Sequence, residues 1–357
     1  EQGNSTTDYA LAYEYTSLAN IYIKLNDNES ALDYYQKALY LLDKAGVNDP
    51  DEITYILLEI GVVYSNQNQI SVAKKYFLQA IKLIKQVDIL NSDLQEDFIN
   101  VCHHLINCYK TEQKSDSILY YCNQALKLNK NNPYRINTTY MEYSRYYFSK
   151  HNLVKAELYA FNALEAATKV YGVENPKTTL NYILLARILF AKRNYTGAFE
   201  YLQKSLDLLS IGFSDDKGLS NPSLEQVIEK DHLLRTLNQK MKYLNILYNQ
   251  NYPLATEKIL YQTAKLATET IEAINKDIKS RKSQLFWLNE EAIPSFERAI
   301  AIALSIYKRT NNLEYLNEAF VLAERSKSML MVNNFQGNQA FNFGGLPPDL
   351  VEKEQAL

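Results

Sequence analysis

One pattern recurs five times along this chain of 357 residues. In each copy a large residue, which is a tyrosine in the first four, precedes a mostly small residue by nine positions. The small positions are separated by steps of 42, 45, 38 and 42 residues, at Ala31, Ala73, Ile118, Ala156 and Ala198. A unit that recurs at such a period stacks against its neighbours, because one unit alone cannot bury its apolar face.

Each copy has the pattern of two helices joined by a short polar turn. Glycine (10) and proline (8) are scarce for this length, which favours long helices over an all-β fold. Asp-Pro or Asn-Pro pairs stand between copies at 49–50, 132–133 and 175–176. Each proline is expected in the first turn of a helix, after an Asp or Asn cap.

The second copy carries the fullest pattern, which consists of Leu57, Ile60, Gly61, Tyr64, Ala73 and Phe77. This pattern resembles the tetratricopeptide repeat, in which a helix A and a helix B form a hairpin. The resemblance implies an all-α fold, a right-handed α-solenoid of helix–turn–helix repeats. Gly61 and Ala73 would let the two helices approach closely. Ile106, Ile118 and Leu189 depart from the pattern and indicate local repacking.

We predict five repeats within residues 8–212, at about 12–42, 54–84, 99–129, 137–168 and 179–210. Residues 213–223 are predicted to form a boundary loop. Residues 224–333 are predicted to form a degenerate repeat region of longer helices, at about 224–249, 253–280, 282–309 and 313–333. Pro253 is expected to start the second of these helices, and Pro294 to kink or split the third. Residues 334–357 are predicted to be a flexible linker.

The default binding surface of such an array is the concave face that the A helices line. The repeat register places eight polar residues on this groove: Asn20, Lys24, Asn66, His103, Asn107, Lys110, Arg145 and Arg187. Asparagine can donate to and accept from a peptide backbone, and arginine can bind a carboxylate with two bonds. We therefore predict a groove for a protein, an extended peptide or an acidic segment. The alternative is an ordinary solvated face.

Some tetratricopeptide domains bind a C-terminal carboxylate through a Lys–Asn–Asn–Lys–Arg clamp. In the matching register this chain has Thr16, Glu59 and His104 at three of those places, and Asn20 matches. The clamp is therefore predicted to be absent.

The net charge, the length of apolar runs and the number of cysteines exclude several classes of protein. The net charge of −3 gives no global positive field for nucleic acid. No apolar run approaches the roughly 18 residues that span a bilayer. Three cysteines argue against a disulfide framework and fit a reduced compartment. We expect a bacterial cytoplasmic protein, with the periplasm as the alternative if a signal peptide has been removed.

No residue set in the sequence predicts catalysis or a cofactor. A metal site is suggested by one helix that carries Cys102, His103, His104 and Cys108, but these side chains diverge around the helix. The neighbours Glu290 and Glu291 diverge likewise, and Trp287 is expected to pack between helices. Because no phosphate loop or nucleophile motif is present, we predict no metal, no cofactor and no enzymatic activity for this chain.

The C-terminal part has a more specific resemblance. It rests on two groups of residues, Ala319, Phe320, Ala323, Glu324, Arg325, Ser326, Lys327 and Leu330, and then Leu346, Pro347, Leu350, Glu354 and Leu357. This pattern is similar to the segment before the caspase-like protease domain of bacterial tetratricopeptide–CHAT proteins, with Ser328 where an alanine is usual. The resemblance implies a regulatory array, with the protease histidine and cysteine in a domain in cis after residue 357.

On this resemblance, helix 313–333 is a coupling helix between array and protease. Its expected contacts are made by Phe320, Glu324, Arg325 and Lys327, with Phe320 and Leu330 facing inward. Two alternatives remain: a stand-alone adaptor, and a regulator that binds a short signalling peptide and controls a transcription factor or kinase.

Overall fold

The computed structural model describes residues 2–25, 27–46, 49–87, 91–128, 133–215, 219–253, 255–277 and 292–343. Its first ten helices form five consecutive pairs. Their bounds are α1 Gln2–Lys24, α2 Asn28–Lys44, α3 Pro50–Asn66, α4 Ile70–Ile84, α5 Ser92–Thr111, α6 Ser115–Leu128, α7 Pro133–Ser149, α8 Leu153–Tyr171, α9 Thr179–Ala191 and α10 Tyr195–Leu208. Odd-numbered helices are the A helices, and even-numbered helices are the B helices.

Four further helices follow, which are α11 Lys230–Asn249, α12 Glu257–Asp277, α13 Ile293–Thr310 and α14 Leu313–Phe343. The all-α prediction is confirmed, including the longer helices at the C-terminal end. Within the described residues, none of the helices has both the length and the apolar character needed to cross a membrane.

The chain divides into two compact units, 1–170 and 171–357. The first unit holds four helix pairs. Helices α2, α4 and α6 each pack on their own A helix and on the next one, and α8 packs on α7. The fifth pair belongs to the second unit, where α9 to α14 pack in sequence around one apolar core.

Proline and asparagine start helices between the pairs as predicted. The Asp49 side chain accepts from the backbone N–H groups of Asp51 and Glu52, and Pro50 occupies the first turn of α3. Asn175 caps a short 3₁₀ turn that begins at Pro176 and leads into α9. These caps satisfy N–H groups that have no partner inside the helix.

The turn between helices A and B has the same backbone in each pair that can be compared. Asn68, Gln113, His151 and Arg193 occupy equivalent positions and have φ between 56° and 62°. The N–H of the following residue donates to the carbonyl five residues earlier, for example Gln69 to Tyr64 at 2.9 Å and Lys114 to Tyr109 at 2.9 Å. This is a Schellman-type helix end built without glycine. The role of His151 is therefore structural, because it fills the left-handed position of the turn in the fourth pair.

Gly61 is the point of closest approach within the second pair. A Cβ atom at this position would overlap the ring of Phe77, which is fully buried on α4. Ala31, Ala73, Ala156 and Ala198 are also fully buried on their B helices. Small residues at these positions allow two helix backbones to pack closely.

A tyrosine stack closes each pair of the first unit at its A–B turn. The ring pairs are separated by twelve residues, with centroids 5.3–5.6 Å apart and interplanar angles of 3–13°: Tyr22–Tyr34, Tyr64–Tyr76, Tyr109–Tyr121 and Tyr147–Tyr159. Stacking of this kind adds about 0.5–1.5 kcal/mol to the burial of the rings. The i, i+12 spacing of these tyrosines is visible in the sequence.

A buried lysine orders the loop between α10 and α11. Lys240 on α11 is fully buried, and its Nζ donates to the carbonyls of Leu219 and Ser220 and to Oδ1 of Asn221, at 2.7–3.0 Å. Burial lowers the pKa of Lys240 to about 7, and Asp215 and Asp207 oppose that shift. The boundary loop predicted at 213–223 is thus held against the core in its described part.

The C-terminal helices differ from the sequence predictions at three points. Glu257 starts α12, so Pro253 lies before the helix. Pro294 lies in the first turn of α13 and so starts a helix where a kink was expected, because a first-turn proline loses no helical hydrogen bond. Helix α14 continues through residues 334–343, where a linker was predicted. Gly337 alone does not end it, since one glycine costs a helix only about 1 kcal/mol. Trp287, Glu290, Glu291 and residues 344–357 lie outside the described residues.

Gly61→Ala tests the close helix approach. We expect the free energy of unfolding to fall by about 1–3 kcal/mol, because the added methyl group overlaps the Phe77 ring. Combined with Phe77→Leu, the same substitution should cost less than it does alone, because leucine leaves room for the methyl group. Denaturant titration of the two single variants and the double variant measures this, and strictly additive losses would contradict the packing described.

His104→Phe tests a partly buried imidazole. His104 stacks on Phe77 with centroids 4.9 Å apart, and burial lowers the pKa of His104 below its usual value. Below pH about 6.5 the unfolded chain therefore binds more protons at this site, and stability falls as the pH drops. We expect the loss of Tm between pH 7.5 and 5.5 to be smaller in His104→Phe than in the wild type. His151→Gln, which removes an exposed imidazole, serves as the control, and equal losses in all three proteins would refute the assignment.

Candidate protein-binding surface

Asn20, a predicted groove residue of the first repeat, lies in a hydrogen-bonded cluster with residues of α2 and α3. Oδ1 of Asn20 accepts from the hydroxyl groups of Tyr35 at 2.5 Å and Tyr55 at 3.2 Å. Tyr35 is fully buried, and burial raises its pKa. The Asn20 oxygen is thus engaged inside the protein, so Asn20 keeps only its amide N–H groups for a ligand.

Two carboxyl groups of α3 border this cluster. Glu52 accepts from the Thr16 hydroxyl at 2.7 Å, and burial raises the pKa of Glu52 despite that bond. Burial also raises the pKa of Glu59, and burial together with the nearby Glu59 charge raises the pKa of Tyr55. The face of the first two repeats therefore has an acidic character that the sequence analysis did not predict.

A second cluster lies between α5 and α7 and centres on Glu142. This carboxyl group is only 5% exposed and forms ion pairs with Lys110, at 2.5 Å, and with Arg145. Lys110 also donates to Oδ1 of Asn107 at 3.2 Å. His103 shares a hydrogen bond of 2.9 Å with Thr139 on α7. We call Asn107, Lys110, Glu142 and Arg145 the Glu142 cluster.

The structure therefore brings four of the eight predicted groove residues together on α5 and α7: His103, Asn107, Lys110 and Arg145. Asn107 and Arg145 are exposed, and Lys110 is half-buried. Two cations around one buried carboxyl group leave an excess positive charge at an exposed edge. At that edge, Arg145 and the Asn107 amide group can donate hydrogen bonds to a carboxylate or a peptide carbonyl. The i, i+3 spacing of Glu142 and Arg145 was the sequence signal for this ion pair.

The other predicted groove residues lie outside the Glu142 cluster. Lys24 and Asn66 are exposed and end α1 and α3. Arg187 is exposed on α9, which belongs to the second unit.

The coupling helix corresponds to the start of α14, and its buried side differs from the predicted one. Ala319, Leu322 and Met329 are buried, whereas Phe320 is 67% exposed. The prediction that Phe320 faces inward is therefore wrong, because the contact stripe runs through 319, 322 and 329 and Phe320 lies about 100° away from Ala319. The side chain of Leu330 lies outside the described residues.

Charged residues of the coupling helix join α14 to α12. Nε of Arg325 donates to Oε1 of Glu272 at 2.7 Å, and the Tyr261 hydroxyl donates to Glu318. Glu324 and Lys327 are exposed and form an ion pair of 2.9 Å within α14. Arg325 is thus the predicted coupling residue that contacts another helix.

The cysteines do not form a reactive site. Cys102, Cys108 and Cys122 are buried free thiols, and burial raises the pKa of Cys122 to about 12. Thiols are reactive as thiolates, so these groups are held in the unreactive form. Within the described residues, no group of three or more His, Cys, Asp or Glu side chains could hold a metal ion.

Known proteins share this repeat. Residues 15–41 and 54–86 match the model of the tetratricopeptide repeat family. Human protein O-mannosyl-transferase TMTC1 is 22% identical over 210 residues, which are 54% of this chain and 23% of that protein. The chain thus spans about a quarter of this relative's length.

Two crystal structures share the fold. The apo form of RapI has a TM-score of 0.56 at 15% identity, covering 90% of this chain and 75% of that one. BtubC from P. vanneervenii has a TM-score of 0.50 at 18% identity, covering 62% and 88%. The family match and these folds confirm that the chain contains tetratricopeptide repeats and has a helical-repeat architecture.

Arg325→Ala tests the contact between α14 and α12. We expect faster amide hydrogen exchange along α14, with at most about 1 kcal/mol lost in global stability, because the ion pair with Glu272 is partly exposed. Lys327→Ala is the matched control, since its ion pair lies within α14. Equal exchange rates in the two variants would show that Arg325 does not hold α14.

Proposed function

We propose that this chain is a scaffold that binds a protein or peptide through the Glu142 cluster. The observation that carries the proposal is the pair of cations around one buried carboxyl group, with exposed Asn107 beside them. An incoming carboxylate or backbone carbonyl can bond to Arg145 and Asn107 without breaking the core. Tetratricopeptide arrays expose extended surfaces of this kind for recognition, which supports a binding role without catalysis.

The proposal is tested by site-specific photo-crosslinking from residue 107 and, as a control, from residue 165. Glu165 forms an exposed ion pair with Lys169 on α8, outside the proposed surface. We expect a partner to crosslink from position 107 and not from 165.

Asn107→Ala with Arg145→Ala should weaken binding of that partner by about tenfold or more, because a charge-assisted hydrogen bond contributes about 1.5–3 kcal/mol. The Tm should change little, because Lys110 still pairs with the buried Glu142 in this variant. The double variant Glu165→Ala with Lys169→Ala should bind as the wild type does. Unchanged affinity in the first double variant would refute the site.

We further propose that this scaffold regulates a caspase-like protease domain in cis, in a bacterial cytoplasmic protein. The support is the sequence resemblance of α14 and the residues after it to the segment before CHAT protease domains. The contact between Arg325 and Glu272 offers a physical link, because it joins this helix to α12. The alternative is a stand-alone adaptor or a peptide-binding regulator without a protease.

The encoding reading frame tests the protease proposal first. A β-rich domain with a histidine and a later cysteine after residue 357 would support it, and a stop codon there would refute it. In the full protein, Arg325→Ala should change partner-dependent peptide cleavage severalfold, which corresponds to about 1 kcal/mol of coupling. Lys327→Ala should leave cleavage unchanged.

A further inference from the structure

The candidate binding face carries one carboxyl group, that of Glu59 on α3, without a cation beside it. The side chain is half-buried, and burial raises the pKa of Glu59. Among the described residues, none donates a hydrogen bond to Glu59 or forms an ion pair with it. A buried charge is costly unless a cation or hydrogen-bond donors compensate it. The ionised Glu59 therefore opposes folding, and a bound cation would remove that cost.

The equivalent carboxyl group of the fourth repeat is compensated within the protein. Glu142 on α7 occupies the repeat position of Glu59, 83 residues further along the chain. Its carboxyl group forms ion pairs with Lys110, at 2.5 Å, and with Arg145. A carboxyl group at this position can thus be built into the fold when cations from α5 and α7 accompany it.

Aliphatic side chains stand beside Glu59 where the equivalent site has its two cations. Ile23 on α1 occupies the repeat position of Lys110, and Val62 on α3 occupies that of Arg145. Both aliphatic side chains are half-buried. The second repeat therefore keeps the carboxyl group of this position and lacks both of the cations that neutralise it in the fourth.

The packing of α1 on α3 confirms that Ile23 lies at the height of Glu59. The hydroxyl group of Thr16 donates to Glu52, 36 residues later, at 2.7 Å. Ile23 and Glu59 are also 36 residues apart, and each lies seven residues further along the same two helices. Seven residues are about two helical turns, so the same sides of α1 and α3 face each other there.

Two tyrosine hydroxyl groups near Glu59 do not satisfy its carboxyl group. The charge of Glu59 adds to burial in raising the pKa of Tyr35 and of Tyr55, which places both phenols near it. Both hydroxyl groups donate to Oδ1 of Asn20, at 2.5 and 3.2 Å. A hydroxyl group has one proton to donate, so neither is left for Glu59.

We propose that Glu59, Ile23 and Val62 form a site for a lysine or arginine side chain of a bound peptide. The methylene groups of that side chain pack on the two aliphatic residues, and its charged end donates to the carboxylate. This inference rests on the binding function proposed above and adds a cation-specific site to it.

The distance from Glu59 to the Glu142 cluster specifies the peptide further. Helix α5 lies between α3 and α7, and packed helices lie about 8–10 Å apart. The two sites are therefore about 16–20 Å apart, which an extended peptide spans with about five or six residues. The ligand is thus a peptide segment in which a cationic side chain and a carboxylate are separated by about that number of residues.

Selection from a random peptide library displayed on phage tests the site. We expect peptides enriched on the wild type to carry lysine or arginine about five or six residues from an acidic residue. On Glu59→Gln the enrichment of lysine and arginine should be lost, whereas that of acidic residues should remain. The matched control is Glu165→Gln, because Glu165 is an exposed carboxyl group on α8 that pairs with Lys169. This control should select the same peptides as the wild type.

A fluorescent copy of one selected peptide gives the magnitude. Replacing its cationic residue by norleucine should weaken binding to the wild type about tenfold, because a charge-assisted hydrogen bond is lost. The same replacement should have little effect on binding to Glu59→Gln, since the two changes remove one interaction.

Thermal unfolding gives a readout that needs no ligand. The Tm of Glu59→Gln at about pH 7.5 should rise, because ionisation of a carboxyl group whose pKa is raised opposes folding at that pH. Glu142→Gln should lower the Tm, because it removes the partner of Lys110 and Arg145. A lower Tm in Glu59→Gln would show that Glu59 has a partner in the fold and would overturn the site.

Failure of this site can be distinguished from failure of the proposed binding function. The cation site fails if Glu59→Gln still enriches lysine and arginine, or if the norleucine peptide binds the wild type equally well. The Glu142 cluster still stands in that case if Asn107→Ala with Arg145→Ala weakens binding of the same peptide. If the wild type enriches no peptide over that double variant, both proposals fail.

Discussion

The close approach of helix A and helix B within each pair is the constraint on which the rest of the fold depends. Gly61 admits the Phe77 ring, and buried alanines on the B helices allow the same contact in other pairs. This approach brings the turn-proximal tyrosines into stacking distance. Each of α3, α5 and α7 also contacts the preceding B helix, and another side of the helix contributes to the candidate binding face.

Polar groups on the candidate binding face also contribute to the stability of the fold. Glu142 is nearly buried, and a buried carboxylate without a cation would cost several kcal/mol. Lys110 and Arg145 meet that need and at the same time keep exposed atoms at the surface. The side-chain oxygen of Asn20 is used entirely within the protein, because it accepts hydrogen bonds from two tyrosine hydroxyl groups. The proposed binding surface and the stability of the fold therefore share these side chains to different degrees.

Local sequence rules predicted the features that depend on neighbours in the chain. The helix pairs follow from the spacing of tyrosine and alanine. The starts of α3 and of the 3₁₀ turn before α9 follow from Asp49 and Asn175. Features that depend on the rotation of one helix against another were missed. Phe320 was assigned to the wrong side because α14 has apolar residues at positions that fit two different stripes.

Long-range polar contacts were equally invisible in the sequence. Nothing around Lys240 indicates that its ammonium group binds carbonyls about twenty residues earlier in the chain. The Glu142 cluster was predicted in part, since the repeat register placed Asn107 and Arg145 on one face. Their attachment to a buried carboxyl group depends on the distance between α5 and α7, which the register does not specify.

The tyrosine stacks have a consequence for how this chain could tolerate insertions. The two rings of each stack are twelve residues apart, and the turn between them uses the same left-handed position in the second, third and fourth pairs. The distance between successive pairs, in contrast, varies from 38 to 45 residues. One added residue inside a hairpin would rotate the second ring by about 100° and break the stack. Length variation in relatives of this chain should therefore accumulate between hairpins and be rare within them.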